Sequence, residues 1–295
     1  MRFRLPLLFI VILAAAPHSE AIVIRDDVGD SGAQALAAAS AYDSVGMLNR
    51  FGDITSGVLI NPLLVLTAKH LVVPDEPAGP PAPDNVFRPT SSFIFTIGGF
   101  DYTSAGYTKS GVDDLAIIQL ALPVTNVTPA LLYTGSAEVG KLATMVGFGQ
   151  GGVGTTGGSG SRGTKRAATN VIDYADIDRV LYSDFDNPDG LENTLLTTYG
   201  IPSSATPTTS EGVIAWGDSG GGTFATISSL NYLIGIHSGV AFDGDGINYN
   251  YGDISGDVRV STASSFIQSV VPEPSSIACL ALGLAVLGAR RSRKG

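Results

Sequence analysis

Short apolar segments separated by turn residues make up most of this chain, and they limit it to folds built from short strands. Segments 58–60, 93–97, 142–146 and 232–236 are rich in aliphatic and aromatic residues, and turns that contain glycine, proline, Asn or Asp separate them. The 37 glycines and 16 prolines among 295 residues supply turns at this frequency. We therefore predict an all-β fold, either a sandwich or a pair of barrels, with helices only at 33–41 and 263–270.

The N-terminus has the composition of an export signal. Residues 2–13 begin with two arginines and continue as an apolar run, and Ser19-Glu20-Ala21 provides a small-x-small cleavage site. This arrangement predicts a signal peptide at 1–21 that signal peptidase removes.

The C-terminus carries a second targeting signal. A Pro-Glu-Pro sequence at 272–274 precedes an uncharged run at 275–289 and a basic cluster at 290–294. The order of these three parts resembles the PEP-CTERM sorting signal, so 272–295 is predicted to be a sorting and transmembrane segment. The resemblance implies the envelope of a Gram-negative bacterium, an exosortase-type sorting enzyme as partner, and membrane anchoring that is at least transient. A plain C-terminal anchor is the alternative interpretation.

The charge of the remaining chain restricts its partners. Without the two terminal segments, the chain has 11 Lys and Arg and 25 Asp and Glu residues, which give a net formal charge of −14. Such an acidic body argues against nucleic-acid binding. The single cysteine, Cys279, lies in the C-terminal segment, so an exported domain at 22–271 would contain no disulfide.

Three separated segments contain the residue types of nucleophilic catalysis. Segment 217–221 (Gly-Asp-Ser-Gly-Gly) places Ser219 in a glycine-rich turn, where backbone N–H groups can approach a developing oxyanion. His70 ends an apolar strand and His237 is the other histidine of the mature region, so the candidates for a general base are few. Asp114 stands at the start of the apolar run 115–120 and can orient an imidazole.

These segments resemble the catalytic blocks of trypsin/chymotrypsin-like serine proteases. Thr-Ala-Lys-His at 67–70, Asp-Leu-Ala at 114–116 and the segment at 217–221 follow one another in the His, Asp, Ser order of that family. The resemblance implies a trypsin-like domain at 22–271, built from two six-stranded antiparallel β-barrels and a C-terminal helix. The boundary between the barrels is predicted near 150–166.

The resemblance also implies a role for each site residue. Ser219 is the nucleophile, His70 the general base and Asp114 the orienting acid, while the N–H groups of Gly217 and Ser219 bind the oxyanion. Asp218 would pair with a new N-terminal amine at Ile22 after removal of the signal peptide.

The predicted function is that of an exported serine endopeptidase acting on protein or peptide substrates. Val213, Ser238 and Val240 fall at the substrate-binding positions, and the two valines favour small or aliphatic residues over basic ones on the acyl side of the cleaved bond. A catalytically silent binding module of the same fold is the alternative.

Segment 243–250 alternates oxygen ligands with glycine and other residues, as calcium loops do. It lacks the terminal glutamate of an EF-hand, so an ordinary Asx turn is the favoured interpretation and calcium the alternative. We expect no cofactor and no metal ligand set.

Overall fold

A computed structural model of the chain describes residues 22–73, 84–177, 179–241 and 246–271. The predicted signal peptide at 1–21 and the predicted sorting and transmembrane segment at 272–295 lie outside the described residues. In the described part of the chain, no helix is both long and apolar enough to cross a membrane.

Six strands of the N-terminal half form a closed antiparallel barrel. A small additional strand, β5 (Arg88–Pro89), pairs with its edge. The barrel strands are β2 (Val45–Arg50), β3 (Asp53–Asn61), β4 (Leu64–Thr67), β6 (Phe93–Ile97), β7 (Phe100–Lys109) and β8 (Ala116–Leu120). The long strand β7 closes the barrel, because its first half pairs with β6 and its second half with β8 across a register shift between Ser104 and Gly106. Leu48, Phe93 and Phe95 fill the interior.

The C-terminal half forms a second sheet that curls into a half-barrel. Its strands are β9 (Leu142–Gly147), β12 (Arg166–Val171), β13 (Tyr174–Ala175), β14 (Val180–Asp184), β16 (Gly222–Ile227), β17 (Leu230–Ala241) and β18 (Ile254–Arg259). They are all antiparallel and follow the order β12-β9-β16-β17-β18-β14-β13. No strand ladder joins β12 to β14 in this part of the structure. Instead, the Asn170 side chain donates a hydrogen bond of 2.7 Å to the Asp184 carbonyl oxygen.

A small third sheet holds the N-terminal end of the described chain against the second half. It consists of β1 (Ile22–Ile24), β10 (Gly151–Val153), β11 (Gly157–Gly158) and β15 (Gly212–Val213). The glycine-rich stretch near 150–166 therefore does not separate the barrels as predicted. The second sheet already begins with β9 at Leu142, and β10 pairs with β1. The glycines let β10 and β11 approach each other closely, since a Cβ atom on Gly152 would lie 1.8 Å from the Gly157 carbonyl oxygen.

One apolar core continues between the two halves. Val58, Leu66 and Ile117 of the barrel meet Phe224 and Ile236 of the second sheet within it. Helix α3 (Ser264–Val270) packs Phe266 and Ile267 into the same core, while α2 (Thr194–Thr197) is a single turn. The prediction of an all-β, trypsin-like fold with a C-terminal helix is confirmed, with one closed barrel and one half-barrel.

The N-terminal helix lies earlier than predicted. Helix α1 spans Gly29–Ala37 rather than 33–41. Asp30 in its first turn forms an ion pair with the buried Arg166 of β12, and Gln34 donates a 2.6 Å hydrogen bond to the same carboxylate. This long-range ion pair fixes the start of the helix, and the helical pattern of alanines alone does not reveal it.

Candidate active site

His70 is presented by a short turn at the end of a buried strand. Strand β4 ends at Thr67, whose hydroxyl donates a 2.9 Å hydrogen bond to the Ser56 carbonyl oxygen. A 3-10 turn at Lys69–Leu71 then carries the histidine away from the barrel wall. The His70 side chain is 45% exposed and faces the cleft between the two halves.

Asp114 accepts three hydrogen bonds at the entrance to β8. The His70 backbone N–H lies 2.9 Å from its Oδ1, His70 Nδ1 lies 2.8 Å from its Oδ2, and the Ser238 hydroxyl donates to Oδ2 at 2.6 Å. Burial raises the pKa of Asp114, but the hydrogen bonds from His70 and Ser238 outweigh burial and hold the pKa below its usual range. The carboxylate is therefore ionised near neutral pH and accepts a proton-bearing Nδ1.

The charged residues next to this pair in sequence, Asp113 and Lys69, bind other partners. Asp113 is buried and lies 3.3 Å from Nη1 of Arg179, an ion pair that links the barrel to the second half. The Lys69 ammonium donates to the Ser110 carbonyl oxygen at 3.2 Å. Asp114 is thus the carboxylate that orients His70.

The turn at 217–221 requires glycine for steric reasons. Gly217 has a φ of +92° and Gly220 a φ of +81°, which side-chain-bearing residues rarely adopt. A Cβ atom on Gly220 would lie 2.1 Å from the Thr67 hydroxyl oxygen and 2.2 Å from the Ser56 carbonyl oxygen. The glycines therefore let the turn seat directly against the strand that precedes His70.

Backbone hydrogen bonds fix the turn. The Asp218 N–H donates to the Ala215 carbonyl oxygen at 3.0 Å, and the Gly221 N–H donates to the Asp218 carbonyl oxygen at 2.8 Å. The Gly220 N–H donates to the His237 carbonyl oxygen at 2.9 Å. The Ser219 carbonyl oxygen accepts from the Ser56 N–H at 3.1 Å, which ties the turn to the barrel. Gly217 and Ser219 line the cleft together with His70. No hydrogen bond joins the Ser219 and His70 side chains in the described structure.

Asp218 is fully buried beneath the turn. Its carboxylate accepts from the N–H groups of Ala215 and Gly149, both at 2.8 Å, and from the Ile22 N–H at 3.3 Å. Burial raises the pKa of Asp218 to about 6, although these donors and the charge of His237 act in the opposite direction. The first residue after the predicted cleavage site therefore lies within hydrogen-bonding distance of Asp218.

The cleft has a volume of about 390 Å³ and one predominantly apolar wall. Ile214, Ala215 and Val240 line this wall, and the exposed Trp216 stands at its rim. Val213 does not line the cleft as predicted, because it pairs with Val23 of β1 and lies fully buried one layer behind.

Ser238 likewise does not line the cleft. Its hydroxyl is turned to Asp114 instead. Of the three predicted substrate-binding residues, Val240 alone lies in the cleft wall.

The opposite wall contains residues that sequence reasoning missed. Arg50, Asp53 and Phe93 come from the barrel, and Arg162 reaches across from the glycine-rich loop of the second half. No motif surrounds these residues, and only the fold brings them beside Ser219.

The second histidine is buried and cannot serve as the base. His237 is fully buried, and its Nδ1 lies 2.7 Å from Asp257 Oδ1. The Thr223 hydroxyl donates to the other oxygen of Asp257 at 2.5 Å. The Nε2 atom of His237 has no hydrogen-bond partner among the described residues. His237 therefore lies behind the turn at 217–221 as a buried structural group.

A buried group of acids lies in the second half, away from the cleft. Asp184 and Asp186 are almost fully buried, and Glu211 accepts hydrogen bonds from the N–H groups of Asp186 and Thr208. Burial and the neighbouring carboxylates raise the pKa of Asp186 to about 9, and burial raises that of Glu211 to about 7. Burial and the charge of Asp184 also raise the pKa of Asp173. We refer to these four residues as the acidic cluster.

Segment 243–250, predicted as an Asx turn with a calcium loop as the alternative, lies only partly within the described residues. Asp243 and Asp245 lie outside the described residues, and the N–H groups of Asn248 and Tyr249 donate to Asp253 Oδ2 at 3.4 and 2.6 Å. Within the described ranges, no three His, Cys, Asp or Glu side chains are placed to hold a metal ion.

Comparison with known proteins identifies two regions. The family model described as Trypsin matches residues 37–267, and the PEP-CTERM protein-sorting motif matches residues 270–294. A search of curated proteins returned no match. Because the first match covers well over half of a chain that also has the corresponding fold, this chain belongs to the trypsin family and carries a C-terminal PEP-CTERM sorting motif.

Proposed function

We propose that the protein is an exported serine endopeptidase in which Ser219, His70 and Asp114 act as a catalytic triad. The observation that carries the proposal is the 2.8 Å contact between His70 and Asp114 in the same cleft that Ser219 lines. A silent binding module would not need an orienting carboxylate with three donors placed behind a cleft histidine.

The geometry supports a specific division of labour. Asp114 accepts a hydrogen bond from His70 Nδ1–H, which keeps the ring proton on Nδ1 and leaves Nε2 unprotonated and able to accept the Ser219 hydroxyl proton. Ser219 Oγ then attacks the scissile carbonyl carbon, and the N–H groups of Gly217 and Ser219 stabilise the oxyanion. His70 returns the proton to the leaving amine. A water molecule, deprotonated by the same imidazole, hydrolyses the acyl-enzyme.

We further propose that signal peptidase generates the active form directly. Ile22 has a φ of +56°, an outlier for a β-branched residue, and its nitrogen lies 3.3 Å from the Asp218 carboxylate. Cleavage after Ala21 would release that torsion and turn the amide into an ammonium group. The ammonium would then pair with a buried carboxylate whose pKa burial raises.

The apolar wall of the cleft supports a preference for small or aliphatic side chains on the acyl side of the cleaved bond. Ile214, Ala215 and Val240 offer no carboxylate to a basic side chain. The enzyme is therefore proposed to cleave after small or aliphatic residues. A cleavage profile dominated by Arg or Lys would contradict this specificity.

The sorting motif implies export and handling by an exosortase-type enzyme at the envelope. We propose that the segment 272–295 anchors the protein in the membrane at least until that enzyme acts. Mass spectrometry of both termini of the exported protein would show whether Ile22 is first and whether the segment is retained.

A fluorophosphonate probe distinguishes the peptidase from the binding module. The probe is expected to modify Ser219 in the native protein, as located by peptide mapping, and not to modify the Ser219→Ala variant. The native protein should lose reactivity on denaturation, because reactivity depends on the folded site. A folded native protein that is not labelled at Ser219 would contradict the proposed function.

A further inference from the structure

Three polar side chains are joined by hydrogen bonds in the core behind the cleft. His237 of β17 and Asp257 of β18 are direct pairing partners, and His237 Nδ1 lies 2.7 Å from Asp257 Oδ1. The Thr223 hydroxyl of β16 donates to Asp257 Oδ2 at 2.5 Å. All three residues are at most 2% exposed, and we refer to them as the buried polar group. A Cβ atom on Gly235 would lie 2.8 Å from Asp257 Cβ, so the glycine leaves room for the carboxylate.

The backbone of His237 holds the turn at 217–221. Its N–H donates to the Gly221 carbonyl oxygen at 3.0 Å, and its carbonyl oxygen accepts from the Gly220 N–H at 2.9 Å. A Cβ atom on Gly221 would lie 2.6 Å from His237 Cδ2, so the imidazole ring packs directly against the turn. The position of His237 therefore sets the position of the two residues that follow Ser219.

Strand β17 has a β-bulge directly after His237. The register of β17 against β18 shifts between His237 and Gly239, so Ser238 is the extra residue. A bulge changes the direction of the side chain at the extra residue. The Ser238 hydroxyl leaves the sheet here and donates to Asp114 Oδ2 at 2.6 Å, across the boundary between the two halves. This hydrogen bond depends on the bulge staying at Ser238.

The buried polar group favours this one register of the two strands. A slip by one residue would move His237 away from Asp257 and break their hydrogen bond inside the core, where a polar group without its partner is costly. Two apolar side chains at the same positions would lose less, because apolar contacts do not depend on direction. A buried polar pair can fix a register in this way at some cost in stability.

We propose that the buried polar group is a positioning device for the proposed catalytic site: its hydrogen bonds keep the bulge at Ser238 and thereby keep the Ser238 hydroxyl on Asp114. The group acts through Ser238 and does not touch the substrate. This inference rests on the proposed function, in which Asp114 orients His70, and it adds three residues on which the rate of that reaction depends.

The decisive variant replaces the whole buried polar group by apolar residues of similar size. In Thr223→Val/His237→Leu/Asp257→Leu, all the side-chain partners are removed together, so the protein should fold, as circular dichroism would show. We expect kcat for a quenched peptide to fall by about tenfold, the effect of losing the Ser238 hydrogen bond, with KM within about twofold of wild type. An unchanged kcat in the folded triple variant would overturn the inference.

Combination with Ser238→Ala tests the route of the effect. Ser238→Ala alone should lower kcat by about tenfold, but adding it to the triple variant should lower kcat by less than about twofold further, because the hydrogen bond is already lost. Two effects that multiply in full would show that the buried polar group acts independently of Ser238 and would overturn the inference.

Asp257→Asn is the conservative variant. Its carboxamide oxygen can accept from His237 Nδ1–H, and its NH₂ group can donate to the Thr223 hydroxyl oxygen, so the register should be kept. We expect kcat to stay within about twofold of wild type. A kcat as low as that of the triple variant would make the charge of Asp257, and not the register, the cause and would contradict the proposal.

Ile172→Ala is the matched control for a general loss of stability. Ile172 is almost fully buried in the same half of the protein and belongs to a separate apolar cluster. The variant should lower the melting temperature and leave kcat unchanged. A decrease of kcat as large as in the triple variant would attribute the effect to stability alone and would overturn the inference.

If the triple variant does not fold, Thr223→Val decides, because it removes one donor to Asp257 at constant volume. We expect kcat to fall by about two- to fivefold in the wild-type background and not to fall further in Ser238→Ala. No decrease, or the same decrease in both backgrounds, would overturn the inference and leave the peptidase proposal intact. A wild-type protein that neither cleaves peptides nor reacts with the fluorophosphonate probe would overturn both.

Discussion

Replacing Asp114 by Asn tests the orientation of His70 with a minimal change of shape. The carboxylate accepts hydrogen bonds from the His70 N–H, from His70 Nδ1 and from the Ser238 hydroxyl, at 2.6 to 2.9 Å. A carboxamide has a single acceptor oxygen, so its NH₂ group must face one of these donors. If the NH₂ faces Nδ1, that nitrogen becomes the acceptor and the ring proton moves to Nε2. His70 can then no longer take the Ser219 proton.

The size of the effect follows from this loss of the general base. The same replacement in an established Ser-His-Asp triad lowers kcat by about 10⁴-fold, which corresponds to about 5.4 kcal/mol of transition-state stabilisation. We expect a similar decrease in kcat for Asp114→Asn with little change in KM, since Asp114 lies behind His70 rather than against the substrate. The same replacement should lower the unfolding free energy by about 1 to 2 kcal/mol, less than the loss of transition-state stabilisation, because the Asp114 side chain is 28% exposed.

Ser238→Ala is the matched control for this prediction. It removes the 2.6 Å hydrogen bond to Asp114 and keeps the carboxylate that orients the ring. We expect kcat to fall by about tenfold, the effect of one charge-assisted hydrogen bond. The assay is steady-state hydrolysis of a quenched peptide by each folded variant, checked by circular dichroism. Equal decreases in the two variants, or a decrease in Asp114→Asn of less than tenfold, would refute the tautomer argument.

Three further predictions concern stability and maturation. Asp186 and Glu211 of the acidic cluster are protonated in the folded state at pH values where they would be ionised in the unfolded chain. Their contribution to stability is therefore complete below the unfolded pKa of about 4 and is lost as pH rises to about 7 for Glu211 and about 9 for Asp186. The melting temperature should fall over this whole range, and a fall of the same size in Asp186→Asn would contradict that assignment. Gly220→Ala should lower the unfolding free energy by about 2 kcal/mol or more in urea titrations, because φ is +81° and the new Cβ meets Thr67 and Ser56. Gly99→Ala is the control: its φ is +83° but no atom lies within 4 Å of the added Cβ, so its loss of unfolding free energy measures the cost of the backbone torsion alone. If the ammonium group of Ile22 pairs with Asp218, a mature protein extended by one alanine before Ile22 should lose at least about tenfold in kcat, because the buried Asp218 carboxylate would be left without its charged partner. An unchanged kcat would show that the peptide N–H of Ile22 is sufficient.

Some features of the fold and site could be predicted from local sequence. The strand at Phe93–Ile97 has the predicted bounds, because an apolar segment of five residues ends at two glycines that form a turn. The three proposed catalytic residues were found because each lies in a short motif whose residue types the chemistry requires. Gly217 and Gly220 stand where the structure has positive φ angles, so their presence in the motif has a direct steric cause.

Other features depend on contacts between distant parts of the chain. The bond from Ser238 to Asp114 joins residues 124 positions apart, and the ion pair that places helix α1 joins Asp30 to Arg166. The resemblance places Val213 among the substrate-binding residues, but its pairing with Val23 of β1 turns it into the core. Arg162 belongs to a glycine-rich loop with no catalytic pattern, and its place in the cleft follows only from how the two halves pack.

The central claim is that Ser219 performs peptide-bond hydrolysis, and the most direct test is to compare the wild-type protein with Ser219→Ala. Both are expected to fold, since Ser219 joins the turn to the barrel through its backbone carbonyl oxygen, which accepts from the Ser56 N–H, and not through its hydroxyl. The wild type should hydrolyse a quenched peptide with a small or aliphatic residue before the cleaved bond, and Ser219→Ala should reduce kcat by about 10⁶-fold. A folded Ser219→Ala protein that hydrolyses the peptide at the wild-type rate would contradict the mechanism.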